Sequence, residues 1–168
     1  MRSPPPQARS YALALGSNRA LSARLTPAAI LKAAVAAIAA EIGPVRARSP
    51  IIMTAPVGPS RRRFANGALI VESGLAPPDL LRALQAIERR FGRKRALRWG
   101  ARRLDIDIIL WSGGAAKAKG LAIPHPAFAA RDFVLTPLAR IAPRWRDPTS
   151  GRTVAQLRAR LRKPLRRG

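Results

Sequence analysis

The segment Arg98-Trp99-Gly100-Ala101-Arg102-Arg103-Leu104-Asp105-Ile106-Asp107-Ile108-Ile109-Leu110 sets two carboxylates inside an apolar run directly after an arginine cluster. In an extended strand alternate side chains share a face, so Asp105 and Asp107 project together while Leu104, Ile106 and Ile108 project the other way. Their Cα atoms then lie roughly 6.5 to 7 Å apart. Carboxylates at that spacing suit Mg²⁺, which prefers a few carboxylates together with waters and substrate phosphates. The arginines just before them supply positive charge for the same anionic ligand. The alternative for any Asp-Xaa-Asp is the solvated side of an edge strand. Against it stands the scarcity of acids: eight Asp and Glu oppose 32 Lys and Arg, and two of the eight sit in this one apolar strand.

A chain of 168 residues can bury a real core and is most simply one domain, placed over residues 10–168 after a proline-rich lead-in at 1–9. The net charge of +24 favours phosphates, nucleic acid or acidic surfaces. Most of the cations are arginine and alanine is abundant, so compositional bias of the whole chain is a second source of that charge. The absence of cysteine excludes disulfides, thiolate nucleophiles and cysteine-ligated zinc. The start MRSPPPQARS has no apolar signal core, and no apolar run has the length of a membrane span. A soluble cytoplasmic monomer is the expectation.

Positioning the two aspartates requires a sheet. Tyr11 to Leu15 reads as a strand ending in the turn Gly16-Ser17-Asn18. Thr26-Pro27 opens a helix whose apolar face is Ile30, Leu31, Ala34, Val35 and Ile38, stopping near Gly43-Pro44. Val45 to Met53 and Ala68 to Glu72 read as two further strands joined by an arginine-rich loop. A second helix runs from Pro77 or Pro78 to about Phe91, with Gly92 as its stop. The Asp105 strand then completes a βαββαβ order, the α+β, ferredoxin-like sandwich of an antiparallel sheet with helices on one face. A short strand at 121–123, helical turns at 127–140 and a basic helix from about Val154 follow.

Four separated motifs resemble, in order and spacing, the 6-hydroxymethyl-7,8-dihydropterin pyrophosphokinases of folate biosynthesis. They are Leu15-Gly16-Ser17-Asn18, Thr54-Ala55-Pro56 with Phe64-Ala65-Asn66, Arg98-Trp99-Gly100 with Arg102 and Leu104 to Asp107, and Pro124-His125 with Arg131-Asp132-Phe133. The resemblance covers roughly residues 10 to 145. It implies transfer of the terminal diphosphate of ATP to the hydroxymethyl group of the dihydropterin, with release of AMP. Such a reaction depends mainly on positioning and electrostatics.

By this resemblance Asp105 and Asp107 carry two Mg²⁺ ions, and either carboxylate also serves to orient the attacking hydroxyl. Arg93 and Arg102 match arginines that stabilise the transferring diphosphate, while Arg95, Arg98 and Arg131 fall near ATP. Planar guanidinium groups suit phosphate oxygens well. Phe64 and Phe133 match the aromatics that sandwich the pterin, Asn66 its hydrogen-bonding edge, and the backbone at Thr54 and Val57 the same pocket. Gln85, Glu88, Ile108 and His125 match positions that face the nucleotide. Trp99 matches a loop that closes over the substrates.

The chain departs from the family where Phe64 replaces a common tyrosine, where Ala55 and Ala101 replace prolines, and where Pro126 follows the histidine. Arg61, Arg62 and Arg63 make the substrate loop cationic. These changes bear on affinity and loop closure more than on reaction type. A rival reading is a nucleic-acid module on the same sheet, yet its strands offer Ala, Leu, Ile and two aspartates where base stacking needs aromatics. Nonspecific polyanion binding remains as a side property. An inactive scaffold is the third reading, and the intact Asp105, Asp107, Arg102 and Asn66 set argues against it.

Overall fold

The computed structural model describes residues 8–56, 62–92 and 103–162. Strand β1 (Arg9–Ser17) sends Tyr11, Leu13 and Leu15 to one face of the sheet and Ala12 and Ala14 to the other. It begins two residues before the expected Tyr11. Arg9 pairs with Ser73 and sets its guanidinium 5.0 Å from the centre of the Trp111 ring, which extends the strand into the proline-rich lead-in.

Helix α1 (Pro27–Glu41) starts as its sequence dictates, with the Thr26 hydroxyl accepting the Ala29 N–H at 3.3 Å and proline in the first turn. It buries Ile30, Leu31, Ala34 and Ile38. The exit turn needs glycine: at Gly43, φ is +151° and a Cβ would collide with the backbone carbonyl oxygen of Glu72.

The strand expected over 45–53 is two strands, β2 (Val45–Arg48) and β3 (Ile52–Thr54), both pairing with β4 (Phe64–Ser73). The ladder passes from Arg48↔Leu69 to Ile52↔Asn66, so Ser49, Pro50 and Ile51 oppose only Gly67 and Ala68. Pro50 has no N–H to offer the ladder, and the extra residue bulges out. Strand β4 starts four residues before the expected Ala68, because β3 gives Phe64, Ala65 and Asn66 partners.

Helix α2 (Pro77–Arg90) buries Leu80, Leu84 and Ile87, and β5 (Asp105–Trp111) pairs with the free side of β1. The sheet order is β2-β4-β1-β5, with β3 also on β4 and every pairing antiparallel. This is the ferredoxin-like arrangement. A hairpin of β6 (Ala116–Ala118) and β7 (Leu121–Ile123) follows, and its first strand was not expected from the sequence.

Helices α1 and α2 share one face, as expected, but α3 (Asp132–Ile141) and α4 (Val154–Arg162) cover part of the other. Val134, Leu135, Leu138, Val154 and Leu157 pack there on Ala12, Ala68 and Ile109. The small side chains of β1 and β4 on that face let the second helical layer approach. The two helices are also clamped by charge, since Arg162 Nε meets Asp132 at 3.2 Å and Arg158 Nε donates to the Thr136 hydroxyl at 3.1 Å. The Arg162 hydrogen bond holds the Asp132 carboxyl below the ordinary carboxylate range. No helix of the described residues is long and apolar enough to cross a membrane.

Candidate active site

The chemistry-bearing side chains collect on the sheet face that also carries α3 and α4. On β5, Ile106 and Ile108 enter the core beneath α1 and α2, so alternation sends Asp105 and Asp107 to the opposite face. On β4, Ala65 and Leu69 enter the same core, which puts Phe64 and Asn66 on the face of the aspartates. Gly16 pairs with Asn66 on one side and Asp105 on the other, so these three form a single row across the sheet. Asp107, Ala14 and Ala68 form the next row. Two strand spacings separate Asp105 from Asn66, about 10 Å.

The middle of the first row is glycine for a reason. A Cβ on Gly16 would stand 3.3 Å from Asn66 Oδ1, so the bare backbone lets the carboxamide lie across β1. Asn66 Nδ2 donates to the Thr54 hydroxyl at 2.8 Å, which fixes the amide plane. Asn66 itself is 5% exposed. The Thr54 contribution is therefore a side-chain contact as well as the expected backbone one.

Asp107 faces His125, with Nε2 to Oδ2 at 3.9 Å. The other ring nitrogen, Nδ1, accepts the Ala127 N–H at 3.2 Å, so Nε2 is the nitrogen that can donate toward the carboxylate side. The His125 N–H donates to the Ile109 carbonyl at 3.0 Å and ties this turn to β5. Asp107, His125, Ile106 and Ile108 line a cleft of about 390 Å³ together with Leu81 of α2, the β6–β7 hairpin from Ala118 to Ala122, and Pro126. The Ile108 side chain is 4% exposed and belongs to the core, so its polar offering to this cleft is its main chain.

Phe133 lies in the first turn of α3, half-buried against the second core, and the Arg131 guanidinium stands 5.8 Å from its ring centre. Phe64 opens β4 opposite Thr54. The two aromatics thus sit on elements that pack on one sheet face. Gln85 is half-buried on α2 and does not join the cleft lining.

Glu88, expected to face the nucleotide, makes a main-chain contact that the sequence did not announce. It is 1% exposed, and its Oε1 accepts the Ile106 N–H at 2.7 Å. Its carboxylate thus holds the strand from below, between the two aspartates. The sequence carries a signal for the burial: Leu81, Leu84 and Glu88 fall at i, i+3 and i+7, which puts the glutamate on the apolar stripe. The cleft lining from β6, β7 and Pro126 had no such signal.

Val57, Arg93, Arg95, Arg98, Trp99 and Arg102 lie outside the described residues. Among the described residues no three His, Cys, Asp or Glu side chains cluster to hold a metal ion. A pair of carboxylates on one sheet face fits Mg²⁺, whose remaining positions are filled by water and phosphate oxygens, and does not fit a closed zinc site.

Residues 12–143 match the family described as 7,8-dihydro-6-hydroxymethylpterin-pyrophosphokinase. A 2-amino-4-hydroxy-6-hydroxymethyldihydropteridine pyrophosphokinase of Synechocystis is 47% identical over 60% of this chain and 51% of its own length. The protein of that name from Pseudomonas aeruginosa is 47% identical over 66% of this chain and 68% of its own, and that from Methylorubrum extorquens 40% identical over 80% and 83%. The first of these matches thus spans about half the relative's length. Among solved structures, wild-type Plasmodium falciparum HPPK-DHPS has the same fold, with a TM-score of 0.73 at 13% identity over 92% of this chain and 45% of that one.

The buried Glu88 carboxylate yields a direct test. Glu88→Ala strands the Ile106 N–H and opens a cavity, and should lower stability by about 2 to 4 kcal/mol in urea unfolding. Glu88→Gln keeps an acceptor oxygen and should lose less than half as much. Equal stability of Glu88→Ala and the parent would contradict the anchoring role.

Proposed function

Because the chain belongs to the 7,8-dihydro-6-hydroxymethylpterin-pyrophosphokinase family, we propose that it transfers diphosphate from ATP to the hydroxymethyl group of 6-hydroxymethyl-7,8-dihydropterin, releasing AMP. The reading takes ATP as co-substrate and two Mg²⁺ ions as cofactors, and it describes a monomer working in the cytoplasm. The observation that carries it is the row Asn66-Gly16-Asp105, with Asp107 beside it. A group that can read a heterocycle's amide edge and a pair that can hold metal-bound phosphates share one face at roughly two strand spacings, about 10 Å. That span suits a pterin whose hydroxymethyl group reaches toward a bound triphosphate.

Each residue then has a physical task. Asn66, with its amide plane fixed by Thr54, donates its second N–H and accepts at Oδ1 along the pterin edge. Phe64 and Phe133 flank the ring, where stacking contributes about 0.5 to 1.5 kcal/mol beyond area burial. Asp105 and Asp107 would hold the Mg²⁺ ions, which would supply positive charge to the phosphate oxygens. Either carboxylate orients the attacking hydroxyl. His125 Nε2 donates to a phosphate oxygen from the cleft wall, and Arg131 adds charge at the α3 end. Arg93 and Arg102 steady the transferring diphosphate, Arg95 and Arg98 the nucleotide, and Trp99 and Val57 close the pterin side. These last roles rest on the motif resemblance.

Replacing either carboxylate by a neutral group removes a metal ligand. In an assay of pterin-dependent AMP formation, Asp107→Ala should lose about a thousandfold or more of kcat, on the scale of a lost transition-state charge. A fold unchanged by circular dichroism together with near-normal turnover would remove the metal role. Gly16→Ala presses on Asn66 Oδ1 and should raise the pterin KM about three- to tenfold with little change in the ATP KM. An equal effect on both substrates would place Asn66 elsewhere than at the pterin edge.

A further inference from the structure

On the other side of β4 from Asn66 lies a second cleft, of about 280 Å³, that takes no part in the proposed reaction. It opens at the bulge where β2 gives way to β3. Leu15, Gly67 and Leu69 form its floor, Leu31 and Val35 of α1 its roof, and Pro50-Ile51 its rim. Gly67 keeps the floor low. A Cβ there would only touch Leu31 and Ser49 at 3.7 to 3.8 Å, so it is a longer side chain that would fill the space.

The polar complement of this cleft is one-sided. Ser49 Oγ is occupied, accepting the Ala68 N–H at 2.9 Å and donating to the Pro50 carbonyl at 2.9 Å. The other two polar side chains on its wall are Lys32 and Arg48. No acid among the described residues lines this cleft, and Glu41 of α1 and Glu72 of β4 pair with Arg90 at 2.5 Å and Arg46 at 2.6 Å. An apolar trough bordered by two cations with no ion-pair partner among the described residues calls for an occupant that is apolar along its body and anionic at one end. Its volume lies just below the range of drug-sized ligand pockets, roughly 300 to 1,000 Å³, which limits it to a small occupant, and its apolar walls offer nothing to a triphosphate.

We propose that this cleft binds a small carboxylate with a flat apolar body of one or two rings, its carboxylate set between Lys32 and Arg48. The site is distinct from the reaction site, since Gly67 and Asn66 point to opposite faces of β4, yet it abuts the strand that carries Asn66.

The test is an amide-resonance titration of the full chain with naphthalene-2-carboxylate. Saturable shifts centred on Ser49, Gly67 and Ala68 are expected, with neutral naphthalene-2-carboxamide binding about tenfold more weakly, as loss of a charge-assisted contact implies. The double variant Lys32→Gln/Arg48→Gln, both positions at the protein surface, should weaken the carboxylate at least about fivefold and leave the carboxamide unchanged. Val35→Trp, which fills the trough, should abolish binding of both. Non-saturating shifts, shifts spread over the arginine-rich surface, or equal affinity for acid and amide would overturn the proposal.

Discussion

A carboxylate that is 1% exposed survives in a protein interior only when hydrogen bonds replace the water it has lost, and Glu88 meets that demand on the Ile106 main chain. The bond joins helix α2 to the one strand that carries both candidate metal ligands. It fixes β5 in register against β1, where a slip of one residue would turn Asp105 and Asp107 into the core and Ile106 and Ile108 out of it. From the other end, the His125 N–H on the Ile109 carbonyl ties the cleft wall at His125 and Pro126 to the same strand. Asp105, Asp107, Gly16 and Asn66 are thus placed by strand pairing, and their side chains follow the pleat.

The few acids of this basic chain are engaged in local contacts. Of the eight, Glu41, Glu72, Asp79 and Asp132 pair with Arg90, Arg46, Arg82 and Arg162. Asp147 is buried and accepts the Thr149 and Ser150 N–H groups. These exposed pairs are screened by solvent, so their service is local order more than stability. Asp105 and Asp107 lie together on one face of β5, and Asp107 faces His125 at 3.9 Å.

Much of this was legible in the sequence because alternation and helical spacing are local signals. The apolar face of α1, the glycine stops at Gly43 and Gly92, and the sharing of one face by Asp105 and Asp107 all follow from periods of 2.0 and 3.6 residues. The bulge at Ser49 to Ile51 was not legible, because it depends on which residues of β4 lie opposite. The N-terminal extension of β4 through Phe64 was hidden for the same reason. The second helical layer was foreseen as helices but not as a cover for the opposite face, a fact set by the small Ala12 and Ala68 side chains. The bond from the Ile106 N–H to Glu88 was not legible either, because it depends on how α2 packs under β5.

Diphosphate transfer makes a claim about one atom, the β-phosphorus, and that claim can be read from a label. The decisive measurement is a single turnover with ATP labelled at the β-phosphate, followed by separation of pterin product from nucleotide. The present account requires the label to leave with the pterin and the nucleotide to be unlabelled AMP. Label retained in ADP would mean transfer of the γ-phosphate alone and would contradict the placement of the two substrates across the Asn66-Gly16-Asp105 row.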